Sequence, residues 1–72
     1  MGWVKKSRNS WKLEKPSIDG EASLKQDEGG YKILLKVTDK EFGMVLRDFE
    51  EFFESRKKGI EKLKEEMEEF AG

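Results

Sequence analysis

The amino-acid sequence predicts an α+β domain, a four-stranded antiparallel sheet followed by one long C-terminal helix. Three observations carry that expectation. Tyr31, Ile33, Leu35 and Val37 alternate with Lys32, Leu34 and Lys36, the period of two that marks a half-buried strand. After the polar break Thr38-Asp39-Lys40-Glu41, Phe42, Met44 and Leu46 alternate in the same way with Gly43, Val45 and Arg47. Phe49, Phe53, Ile60, Leu63, Met67 and Phe70 then follow one another at the spacing of an amphipathic helix.

Residues 1–9 read as a basic N-terminal arm or the start of a strand, and residues 10–72 as a single ββββα domain. Ser10 to Lys15 forms the first strand, with Trp11 and Leu13 on one face and Lys12 and Glu14 on the other. Pro16 ends it, because proline has no ladder donor. Ile18 to Gln26 is the second strand, with Ile18, Gly20, Ala22 and Leu24 inward; the small pair Gly20 and Ala22 leaves room for a helix. Asp27-Glu28-Gly29-Gly30 is a hairpin turn, since glycine supplies the positive φ that tight turns need. Tyr31 to Val37 is the third strand.

Residues 38–47 admit two readings. Thr38 and Glu41 match a capping box, which allows three strands and a single helix from about residue 39 forming a coiled coil. Such a helix would run about 50 Å at ~1.5 Å per residue, too long for short strands to cover. A fourth strand from Lys40 to Arg47 is favoured, because Gly43 would cost a helix interior about 1 kcal/mol. The helix then begins at Asp48 and ends near Phe70, with Glu50 and Glu51 at its positive dipole end and a kink at Gly59. Its span of ~35 Å exceeds the ~20 Å of a six-residue strand. A second copy of the helix is the simplest cover for the overhang. A homodimer through Phe53, Arg56, Ile60, Leu63, Met67 and Phe70 is therefore expected, with polar Arg56 able to fix the register.

Composition points the same way. The chain has 72 residues, 35% hydrophobic and 43% charged, so its core is small and association is an obvious staple. It contains no cysteine and no histidine. That removes disulfides, thiolate metal sites and the usual general base, so no enzyme, metal or cofactor is expected. Asn9 and Gln26 are its sole side-chain amides among abundant Lys and Glu, a thermophilic, archaeal-like bias. No stretch approaches the roughly 20 apolar residues of a membrane span, and no signal-peptide core is visible. A cytoplasmic protein without a membrane partner is expected.

Charge is unevenly distributed although the net value is −1. In residues 1–16, Lys5, Lys6, Arg8, Lys12 and Lys15 stand against Glu14, whereas the C-terminal third is acidic. Lys12, Lys25, Lys32, Lys36 and Arg47 fall on the predicted outer sheet face, among Glu14, Asp19 and Glu21. Lysines decorate any solvated sheet face, but Leu34 and Val45 lie among these, which suits base stacking or a partner surface. In the arm, Trp3 and Trp11 are interleaved with Lys5, Lys6, Arg8 and Lys12, a pattern that suits the π faces and phosphates of single strands. Trp11 also alternates with Leu13 and could be core, which leaves Trp3 the better stacking candidate.

Two stretches carry a family resemblance: Gly29-Gly30-Tyr31-Lys32-Ile33-Leu34-Leu35-Lys36-Val37 and Gly43-Met44-Val45-Leu46-Arg47-Asp48-Phe49-Glu50-Glu51-Phe52. Over about half the chain, this pattern resembles the single-stranded nucleic-acid-binding group of the transcriptional coactivator positive cofactor four, the plant whirly proteins and the Pur-alpha repeat. The resemblance implies a ββββα fold that dimerises through its helix. It also implies a sheet face holding single-stranded DNA or RNA with little sequence preference, contacted by Lys32, Lys36 and Arg47 and, if the first strands pair as read, Lys12 and Lys25. The chain lacks the long lysine-rich connection between the last two strands that the coactivators carry. The rival reading is a protein–protein interaction or assembly module using the long acidic C-terminal helix. A duplex binder is disfavoured, since no helix is basic enough to enter a groove.

Overall fold

The described residues form five strands and one helix: β1 (Val4–Ser7), β2 (Ser10–Glu14), β3 (Ile18–Asp27), β4 (Gly30–Asp39), β5 (Met44–Phe53) and α1 (Arg56–Glu68). The computed structural model describes residues 2–70; Met1, Ala71 and Gly72, at the ends of the expected arm and domain, lie outside the described residues. The strands form one antiparallel meander in the order β1-β2-β3-β4-β5, each beside its neighbour in sequence. The class is α+β as expected, but the four-stranded sheet with a long helix is overturned. There are five strands, and the helix has 13 residues.

β3 and β4 follow from the alternation that predicts them. Ala22 and Leu24 lie opposite Leu35 and Ile33, and Gly20 lies opposite Val37, so all six face the same side. Leu13 joins them from β2, opposite Gly20. α1 closes this side, lying chiefly over β4. Leu63 and Met67 complete a core with Ala22, Leu24, Ile33, Leu35 and Val37. Fully burying a Leu, Ile or Val side chain is worth about 1.5–3 kcal/mol, so this single layer holds the helix to the sheet. The opposite side of the sheet is open.

The segment from Asp48 to Phe53 is strand and not helix. Phe49 and Phe53 are four apart, a spacing shared by one face of a helix and one face of a strand. The ten residues of β4 decide between the two, because they need a partner along their length. β5 supplies it from Tyr31↔Phe53 to Asp39↔Met44. A single helix from residue 39 is overturned by the turn joining these strands. Gly43 has φ +68, the Gly43 amide donates to the Asp39 carbonyl (2.8 Å), and the Glu41 amide donates to Asp39 Oδ1 (2.8 Å). α1 starts at Ser55, whose hydroxyl accepts from the Lys58 amide. It passes through Gly59, a buried position, to Glu68. With 13 residues it spans roughly 20 Å, and the expected overhang does not arise.

Residues 4–7 take the strand alternative of the expected arm. Lys5 pairs with Trp11 and Ser7 with Ser10, and Lys6 is an extra, bulged residue between them. The Ser7 and Ser10 hydroxyls meet at 2.7 Å across the turn. Both ends of the β1–β2 hairpin are tied to α1. The Trp3 indole Nε1 donates to the Met67 carbonyl (2.8 Å), and Arg56 donates to Asn9 Oδ1 (3.0 Å). Gly20 makes the first tie possible, since a Cβ there would stand 2.7 Å from the Trp3 ring. Gly20→Ala should therefore displace Trp3 at a cost of about 1–3 kcal/mol. Thermal melting and the tryptophan emission maximum would both shift; an unchanged emission spectrum would show that Trp3 is not held there.

Candidate nucleic-acid interface

The register assigns each expected contact residue to a face. Lys12, Glu21, Lys36 and Asp48 form one row across the open face, alternating in sign from strand to strand. Ser10, Ser23, Leu34 and Glu50 form the next row, and Lys25, Lys32 and Phe52 the third. Val45, half exposed, sits opposite Thr38 on this face. Lys12, Lys25, Lys32, Lys36, Leu34 and Val45 thus occupy the side on which the sequence places them. They share it with carboxylates: Lys12 lies 3.7 Å from Glu14 and Lys32 lies 3.8 Å from Glu50. Exposed pairs of this kind are worth about 0–1 kcal/mol, so each ammonium can be exchanged onto a phosphate at little cost.

Four expected contacts, Trp3, Lys5, Trp11 and Arg47, lie on the other side. Leu46 is an extra residue in β5 relative to β4, a bulge between the pairs Val37↔Arg47 and Thr38↔Val45. A bulge shifts the alternation by one, so Arg47 turns from the open face to the helix. There it pairs with Glu66, a buried residue of α1, and its guanidinium stands 5.4 Å from the Phe49 ring centroid. Lys62 reaches the same carboxylate at 3.4 Å and the same ring at 5.9 Å. Trp11 faces the helix side opposite Ala22 and packs against the core, with the Lys5 ammonium 5.8 Å from its ring centroid. Trp3 packs beside the core as described above.

What the open face does gather lies at its β1–β2 corner. Two shallow depressions of about 210 and 230 Å³ adjoin there, and Lys6 and Lys12 line both. Ser10, Ser23 and Glu21 line the second, Val4 and Glu14 the first. Arg8 is exposed in the turn beside them. Comparison with known families, curated proteins and solved structures finds no match. The corner is therefore judged on its own chemistry: lysines, serine hydroxyls and the carboxylates of Glu14 and Glu21 line the two depressions together with Val4, Trp11 and Ala22.

The residues expected at a helix–helix seam are turned to the protomer's own sheet. Leu63 and Met67 are buried in the core, Phe53, Ile60 and Phe70 pack against it, and Arg56 binds Asn9. Exposed apolar side chains gather instead at the β4–β5 turn and the start of β5, at Phe42, Met44, Val45 and Leu46, with Phe52 at the far end of β5. Ser10, Ser23 and Phe52 enter the open face without having been singled out from sequence; the strand registers that place them depend on pairings between distant residues. Among the described residues, no cluster of three or more carboxylates is placed to hold a metal ion, and no helix is long and apolar enough to cross a membrane.

Proposed function

We propose that the protein binds single-stranded DNA or RNA, with little sequence preference, at the β1–β2–β3 corner of its open sheet face. The observation that supports this most directly is the pair of adjoining depressions that share Lys6 and Lys12. Lys25 and Lys32, directly opposite one another, extend the cationic track, and Lys36 lies in the same row as Lys12. Leu34 and Phe52 on the same face offer apolar contact to unstacked bases. Trp3, Trp11 and Arg47 act indirectly, by holding the hairpin and the helix in place.

Carboxylates around these lysines make the interaction weak and strongly salt-dependent. Each phosphate contact on a single strand contributes about −0.7 to the slope of log K against log salt. Four lysines therefore predict a slope of roughly −3. Fluorescence anisotropy of labelled oligo-dT and poly-U, titrated across ionic strengths, reads this directly. Lys6→Glu combined with Lys12→Glu should abolish binding at low salt while leaving the far-ultraviolet circular dichroism unchanged. Binding that survives this double substitution would place the site elsewhere.

A further inference from the structure

Among the described residues, β5 has a hydrogen-bonded neighbour on one side only, and its free edge is ten residues long. A free strand edge is a template for another strand. The opposite edge, β1, is short, bulged at Lys6 and lysine-bearing, three devices that discourage pairing. β5 has a bulge of its own at Leu46, but from Arg47 to Phe53 it pairs with β4 without interruption and carries no lysine. It also exposes Leu46 and Phe52, at 45% and 48% of their surfaces.

The order Leu46-Arg47-Asp48-Phe49-Glu50-Glu51-Phe52 is self-complementary when read outward from Phe49. We propose that β5 pairs antiparallel with β5 of a second copy, about a two-fold axis at Phe49, to give one continuous sheet. In this register Leu46 meets Phe52 of the second copy on the open side. Arg47 meets Glu51 on the helix side, so each such pair brings a cation to a carboxylate. Asp48 meets Glu50, the one unfavourable pair, but Lys36 lies opposite Asp48 and Lys32 lies 3.8 Å from Glu50. Moving the axis by one residue would set Asp48 against Asp48, or Glu50 against Glu50 were it moved the other way. The two helices, each lying over β4, would come to the same side about three strand spacings apart, roughly 14 Å. That exceeds the 8–10 Å of packed helices, so they do not obstruct the contact. The contact shares Phe52 with the nucleic-acid reading, but Lys6 and Lys12 lie at the opposite end of the sheet, so their double substitution tests that reading without touching β5.

Light scattering and sedimentation of the full chain test the proposal. The expected mass is twice the 8.4 kDa of one chain. Leu46→Lys with Phe52→Lys should weaken the association about tenfold or more without changing circular dichroism. The register is tested separately, because the chain has no cysteine. Asp48→Cys mixed with Glu50→Cys should form a disulfide-linked pair under mild oxidation. Either variant alone should link poorly, since like positions then lie beyond the ~7 Å Cα limit of a disulfide. A single-chain mass at every concentration overturns the proposal. So does a dimer indifferent to the lysine pair, or a mixture that links no better than its components.

Discussion

Leu63→Ala should lower stability by about 2–5 kcal/mol, the range for truncating a fully buried leucine. Leu63 has no exposed surface and is the largest side chain that α1 buries completely. A domain of this length has a total stability of roughly 4–11 kcal/mol, and each kcal/mol moves the melting temperature by about 4–8 °C. The variant should therefore melt at least ~8 °C lower and be partly unfolded at moderate urea. Ile60→Ala is the comparison, since Ile60 packs at the margin of the core and should cost less. Equal losses at the two positions, measured by urea unfolding, would show that Leu63 is not the anchor described.

Arg47→Ala should be the next largest effect, at about 2 kcal/mol. Glu66 is 5% exposed, and the substitution leaves its carboxylate with Lys62 alone at 3.4 Å. The loss is smaller than for a fully enclosed pair, because the Arg47 side chain is 41% exposed and partly screened by water. Replacing the carboxylate as well, with Arg47→Ala and Glu66→Leu together, should recover much of the stability by removing the poorly compensated charge. A double-mutant cycle measured by urea unfolding reads the coupling. Additive losses would mean that the two residues act independently.

β3, β4 and the sheet half of the core were legible because their alternation is unbroken. Ala22, Leu24, Ile33, Leu35 and Val37 all lie where the period of two places them. The boundary between β5 and α1 was not legible, since Phe49 and Phe53 satisfy a helix and a strand equally well. The deciding facts are the length of β4 and the cap at Ser55, neither of which periodicity reports. Val-Lys-Lys-Ser shows no alternation, so β1 was visible only as the strand alternative of a basic arm. Among the site residues, the open-face positions on β2, β3 and β4 were read correctly as positions. Arg47 was misplaced because one inserted residue at Leu46 inverts the face of everything beyond it. Trp3 looked available because its partners, Gly20 and the Met67 carbonyl, are remote in sequence.

The hydrogen bond from Trp3 to Met67 joins residues 64 positions apart. Each hairpin of the meander closes a small loop and can form early, whereas this bond closes a ring that is nearly the whole polymer, at the largest entropic cost of any. Once made, it acts as a clasp, so that peeling away the first strand and releasing the end of the helix become one event rather than two.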